Sequence, residues 1–282
     1  MIATTFATGA CSSWRSQEQG AVMPHGNHAA VVATTVEDCR AQITVAQSMD
    51  ELGLPAGGLE ILSWNIHKNG AQDWAEELAR LGDGKDLVLI QEAHLTANIP
   101  DALPDTAHWA FAPGYSNRQG PTGVMTLSAA PPIAQCSLIT HEPWLGTPKA
   151  TSITQYALAN TNQSLIVANL HVVNFSLGLK TFRQQLDEVR AVLSVHDGPI
   201  ILSGDFNTWS YRRLDVLREL AADLDLTDVG FEEDARKRPF NHALDHMFVR
   251  GLQVVDSKTE MVDSSDHNPL AAEFFNEDAV GF

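Results

Sequence analysis

Nine polar residues stand where runs of apolar, strand-forming residues end: Asn65, Glu92, His171, Asn174, Asp205, Asn207, Asp245, Asp266 and His267. Carboxylates, amides and imidazoles are costly to bury without partners, so such a placement puts chemistry at strand ends. In a layered sheet protein those ends meet along one edge, where residues far apart in sequence converge. Glu92 and Asn65 offer only oxygen donors, the ligand type of a hard cation such as Mg2+ that keeps much of its water shell. An aspartate or histidine in the same cleft can move a proton.

Each residue also has an ordinary reading. Gly204-Asp205-Phe206-Asn207 and Asp266-His267-Asn268-Pro269 have turn composition. Asn65 can cap a strand end, Asn174 can sit in a turn, and His171 can be a core histidine satisfied by one hydrogen bond. Asp266 and His267 are neighbours, and strand neighbours face opposite ways. A carboxylate from another strand, such as Asp245, could hold the His267 tautomer.

The elements that must carry these residues are legible in outline. Leu59–Ile66 reads as a buried strand ending in Trp64-Asn65. Trp74, Leu78 and Leu81 share a helical face over 71–81, and Leu-Val-Leu-Ile within 86–91 is a strand that delivers Glu92. Residues 100–115 read as loop. Strands are expected at 123–127, 133–138, 151–158 (with one wet face), 164–173, 199–203, 243–249, 253–255 and 270–275. The spacing of Phe182, Leu186, Val189 and Leu193 predicts a helix over 179–196, and a second follows over 211–223. Before these, 29–36 reads as a strand and 39–52 as a short helix or extended lead-in. The expectation is an α/β fold with two packed sheets and helices outside. It divides into an N-terminal lead-in over 1–57 and a catalytic domain over 58–282.

The chain has 282 residues and is 44% hydrophobic, with a formal charge of −17. That balance argues against a broad basic face wrapped by nucleic acid, but not against a metal site, where a bound cation reverses the local sign. Cys11, Cys39 and Cys136 form neither a disulfide framework nor a zinc signature. No run is long enough to span a bilayer. Ala-Thr-Gly-Ala-Cys11 resembles a bacterial lipoprotein cleavage site but lacks the basic n-region and a long apolar run. A loose N-terminal segment, a cytoplasmic location and a monomer are expected, with a lipid-anchored or periplasmic alternative if Cys11 is lipidated. Arg212-Arg213 and Arg236-Lys237-Arg238 could grip a phosphate or a strand backbone, or could simply be solvated.

Taken in order, Trp64-Asn65, Gln91-Glu92, Asn169-Leu170-His171, Gly204-Asp205-Phe206-Asn207, Leu244-Asp245-His246 and Ser265-Asp266-His267-Asn268-Pro269 resemble the endonuclease/exonuclease/phosphatase superfamily. Residues 123–129, 173–178 and 251–269 are similar to its YafD-like bacterial group. The resemblance implies a four-layered, DNase I-like α/β sandwich and a Mg2+- or Mn2+-dependent hydrolase acting on phosphoester bonds, expected first as an endo- or exonuclease. The alternatives are a lipid-headgroup phosphodiesterase, a small-molecule phosphatase and, last, a non-catalytic binder of phospho-ligands. It also implies roles: metal on Asn65, Glu92 and Asp266; Asp205 as base; Asn207, Asn174 and His267 on the phosphate; Asp245 orienting His267; His171 as general acid or electrostatic stabiliser.

Overall fold

A computed structural model describes residues 31–45, 53–176 and 178–276. The strands are β1 (Val32–Ala33), β2 (Gly57–Asn65), β3 (Leu87–His94), β4 (His108–Asn117), β5 (Gly120–Ser128), β6 (Ala134–His141), β7 (Pro148–Ala157), β8 (Ser164–His171), β9 (Ile200–Asp205), β10 (Thr227–Asp228), β11 (Asp245–Arg250), β12 (Gln253–Thr259) and β13 (Leu270–Phe275). The α-helices are α1 (Val36–Val45), α2 (Trp74–Gly82), α3 (Lys180–Leu193) and α4 (Tyr211–Asp223).

The strands form two mixed sheets. One has seven strands in the order β1-β6-β7-β8-β9-β11-β10, the other six in the order β12-β13-β2-β3-β5-β4. Strand alternation sorts their side chains into separate layers. Ile61, Leu87 and Leu89 of one sheet meet Leu165, Val167, Ile201 and Met247 of the other in the core between the sheets. Leu62, Trp64, Val88 and Ile90 point the other way and pack with Leu78 of α2. Ile166, Ala168, Ile200 and Leu202 turn outward beneath Phe182, Leu186 and Val189 of α3, Leu217 and Leu220 of α4, and Ile43 of α1. Strands covered on both faces need apolar residues at every position, which is why they read as unbroken runs.

Along the inward face, polarity rises toward one edge. Ile61 is followed by Ser63 and Asn65, Leu89 by Gln91, Val167 by Asn169 and His171, Ile201 by Ser203 and Asp205. The middle tier ties the sheets together: Gln91 Nε2 donates to Asn169 Oδ1 at 2.8 Å, and Asn169 Nδ2 donates to the Met125 carbonyl at 3.0 Å. The outermost tier is the site.

Some expectations need correction. Within 100–115, read as loop, residues 108–115 belong to β4 at the edge of the six-stranded sheet. Its register shifts between Pro113 and Ser116, and an edge position tolerates proline because one side of the strand needs no ladder. Strand β7 has no wet face: residues 150–157 are all buried, because β7 lies between β6 and β8 with layers on both sides. Within the described part of the expected strand at 29–36, only β1 is strand, and α1 begins at Val36. Residues 1–30, and with them Cys11, lie outside the described residues. Within the described part of the lead-in, β1 joins the seven-stranded sheet by pairing in parallel with β6, and Gly57 already begins β2 of the other sheet.

Candidate active site

The sheet edge positions the acids by register. His171, Asp205 and Asp245 end or begin adjacent strands and are direct cross-strand partners. Close approach of β9 to β8 requires glycine just before Asp205. Gly204 has φ +144, and a Cβ there would lie 2.1 Å from the Leu170 carbonyl oxygen.

Asp205 is the centre of the arrangement, and it is buried. Its Oδ2 accepts from Asn65 Nδ2 at 3.1 Å, and its Oδ1 accepts from the Asn207 backbone N–H at 2.9 Å. The same Oδ2 lies 3.5 Å from His171 Nε2 and 3.9 Å from His267 Nε2. Burial pushes the Asp205 carboxyl up to about 6, with the Asp245 charge adding to the rise and His267 opposing it.

His267 comes from the loop before β13. Its Nδ1 meets both oxygens of Asp245, at 2.8 and 3.0 Å, and its backbone N–H donates to Ser265 Oγ. Burial works against the imidazolium, but Asp245 first and Asp205 second outweigh it and raise His267 to about 10. Strand alternation separates Asp245 from its neighbour. His246 faces away from the site toward Phe206 and Phe248, is hydrogen-bonded to Thr208 at 2.7 Å, and is lowered by burial to about 3.

Glu92 breaks the alternation of β3. It has φ +55 and lies where the β3–β5 register shifts, between Ile90 and Ala93. The bulge re-aims a side chain that regular pleating would send to the opposite face. Glu92 Oε1 therefore comes within 3.8 Å of His171 Nε2. Its Oε2 is buried, accepts no well-aligned hydrogen bond, and is faced by the Lys68 ammonium at 3.1 Å. Lys68 stands on a short turn in which His67, Lys68 and Asn69 have φ of +46, +60 and +56. Three successive non-glycine residues in the left-handed region are strained, by about 1–2 kcal/mol each. Burial alone would lower Lys68; Glu92 outweighs it and holds the ammonium above its ordinary value.

Of the remaining expected residues, Asn174 is half-buried and Asn207 buried. Asp266 is largely exposed, with Oδ1 3.5 Å from His67 Nδ1. Asn174 Oδ1 accepts from Trp209 Nε1 at 3.1 Å, and Asn207 Nδ2 donates to the Val172 carbonyl at 3.0 Å.

Lys149, which the sequence reading missed, enters from β7. Its Nζ lies 2.7 Å from His171 Nε2. Burial lowers this ammonium, although Asp205 and Glu92 pull the other way. His171 is held well below its ordinary value by burial, then by Lys149. The only trace in the sequence is a charged residue at the start of a strand buried along the rest of its length.

The basic clusters are mostly engaged internally. Buried Arg213 donates to the carbonyls of Val173, Asn207 and Asn174 and to Ser176 Oγ, at 2.8–2.9 Å, between the rings of Phe182 and Trp209. Arg236 and Arg238 both pair with Asp234, and Arg236 also donates to the Asp245 carbonyl. Arg213 is therefore neither a phosphate grip nor a solvated residue, because its donors are spent on holding loops.

Two groupings suit a divalent cation. Asp205, Asp245 and His267 bring ligand atoms within 4.8 Å of one another and could bind a metal. Their facing atoms, however, already hydrogen-bond to each other and to Asn65 and Asn207. At Glu92 the fit is better: an orphaned buried carboxylate oxygen meets only a side-chain ammonium, and the Asn65 carboxamide oxygen accepts just one hydrogen bond, from His67 N–H at 3.1 Å.

Two mixed sheets flanked by helices, with acids, amides and imidazoles at one edge, define a DNase I-like sandwich of the phosphoester-hydrolase type. The match to the Endonuclease/Exonuclease/phosphatase family runs over residues 62–267, and the chain belongs to that family, whose members are hydrolases acting on phosphoester bonds. The chain is 40% identical over 239 residues to a UPF0294 protein of Yersinia pseudotuberculosis, covering 81% of this chain and 90% of that one. In fold it is similar to the human Nocturnin catalytic domain with bound sulfate (TM-score 0.60, 18% identity, 80% and 96% of the two chains). It is also similar to the Bacteroides thetaiotaomicron mannosyl-6-phosphatase (TM-score 0.54, 18% identity, 77% and 99%). No described helix is long and apolar enough to cross a membrane.

Proposed function

We propose that the protein is a divalent-cation-dependent phosphodiesterase that cleaves a phosphoester bond by in-line attack of water. The observation that supports this most is the position of Asp205, hydrogen-bonded to Asn65 and within 4 Å of both His171 and His267. Asp205 accepts the proton of the attacking water. With its carboxyl near 6 it is ionised at neutral pH and more basic than an exposed aspartate. His267, kept cationic by Asp245, donates from Nε2 to a phosphoryl oxygen. Asn174 and Asn207 each retain amide hydrogens for the phosphate. The Lys149–His171 pair places a donor and positive charge at the leaving oxygen, with His171 itself neutral. A bound Mg2+ or Mn2+, held by Glu92 and Asn65 with Asp266 beside them, would polarise the phosphoryl group and neutralise its developing charge. Positioning and charge stabilisation together account for the rate.

The test is hydrolysis by the purified protein, with Mg2+, Mn2+ or EDTA, of plasmid DNA, abasic-site DNA, RNA, sphingomyelin and inositol phosphates. Cation-dependent release from at least one, abolished in Asp205→Ala and His267→Ala, is expected. EDTA-insensitive turnover, or none with any substrate, would remove the reading.

A further inference from the structure

Beside the catalytic edge lies a cleft of about 500 Å3, within the roughly 300–1,000 Å3 of small-molecule sites. It shares Asn174 and Asn207 with the catalytic site. Trp209, Pro239 and Leu244 form its walls. Its rim is aromatic and wet: Trp144 is 68% exposed, Phe175 61% and Phe240 80%, with Leu145 beside them at 55%. Large apolar side chains clustered in water around a concave surface mark a binding site.

The rim is held firmly. The carboxylate of buried Glu142 accepts from the backbone N–H of Asn174 at 2.8 Å and of Phe175 at 3.1 Å, while its backbone carbonyl accepts from the Gly146 N–H in the Trp144 turn at 2.9 Å. Arg213 clamps the same loop from below through the Val173 and Asn174 carbonyls. Phe240 has φ +53, a strained conformation for a bulky residue. Two buried charges and a strained backbone thus fix rings that gain nothing from this exposure by themselves.

The chemistry of the occupant follows from what the cleft lacks. Asn174 Oδ1 is taken by Trp209, Ser176 Oγ accepts from Arg213, and Asn207 Nδ2 already donates to Val172. Beyond the Asn174 and Asn207 amide hydrogens assigned above to the phosphate, little remains to read the polar edge of a nucleobase, which would leave hydrogen-bonding groups unpaired. Arg213 and Arg236 are engaged internally, and the formal charge of −17 argues against a broad basic face for a polyanion.

We propose that this cleft is the subsite for a hydrocarbon group esterified to the scissile phosphate, so that the substrate is an amphiphilic phosphodiester. The assignment rests on the phosphodiesterase reading above.

The test is calorimetric titration in EDTA with hexyl-, octyl- and decylphosphocholine, each below its micelle concentration. Binding should tighten by roughly two- to fourfold per added methylene. In Trp144→Ser/Phe175→Ser the decyl compound should lose at least tenfold while the hexyl compound changes little. Phe240→Ser should show the same pattern more weakly, with unchanged thermal midpoints in all variants. Undetectable decyl binding, equal constants across the series, or an unchanged slope in the double variant would overturn the proposal. So would tighter binding of the dinucleotide thymidylyl-thymidine that is lost in the same variants, which would make the cleft a base-stacking site. Because these titrations need neither turnover nor cation, their failure is separable from failure to hydrolyse any phosphoester.

Discussion

The two ends of the catalytic edge are built by opposite means. At the Asp245–His267–Asp205 end, facing polar atoms are paired, the residues are buried, and Asp205 and Asp245 are placed by strand register, with positive φ at Gly204 and Asn207 beside them. At the Glu92–Lys68–Asp266 end, one carboxylate oxygen is orphaned, Asp266 is exposed, and the backbone is bent into left-handed conformations at four residues. A site whose hydrogen bonds are complete is preorganised for proton and phosphate contacts. A buried carboxylate oxygen whose one partner is a side-chain ammonium keeps lone pairs that a second cation could take. Under the proposed function the first end serves the water and the phosphoryl group, and the second the metal.

The largest break in this comparison should come from Asp205→Ala, with turnover falling by roughly 10³–10⁴-fold under saturating cation and the thermal midpoint retained. Near wild-type turnover would exclude Asp205 as base. Asp245→Asn should cost about 10²–10³-fold in turnover by loosening the His267 imidazolium, without weakening cation binding. A matching loss of cation affinity would move the metal to the paired end. Glu92→Gln should do the reverse. Titration with Mn2+ followed by electron paramagnetic resonance should give an affinity about 10–100-fold weaker, the range typical of lost metal-site partners. Lys68→Ala should tighten Mn2+ binding several-fold in the same titration, because the ammonium no longer competes for Glu92; weaker binding would make Lys68 a supporting residue instead.

The smallest effect sharpens the paired end. The profile of kcat/KM should rise with pH through about 6 as Asp205 loses its proton, and fall toward about 10 as His267 loses its own. Base and donor act in opposite protonation states, so a plateau lies between. An acid limb that persists unchanged in Asp205→Ala would belong to another group.

What the amino-acid order by itself determined is the layered α/β class, the helices over α3 and α4, and the set of acids, amides and imidazoles at strand ends. These follow from local periodicity and from the cost of burying polar groups, both of which act within a few residues. It also offered Asp245, from another strand, as a carboxylate able to reach His267. Only the tertiary structure decided the rest. Lys149 joins His171 because β7 happens to neighbour β8. Arg213, which reads as a free cation on a helix, is consumed by carbonyls from two other segments. Glu92 faces the cleft through a bulge whose positive φ no pattern of residue types announces. The aromatic cleft draws on 144, 175, 209 and 240, far apart in the chain. Contacts between distant segments depend on register and on loop paths, which are set by packing across the whole sandwich rather than by any neighbouring residues.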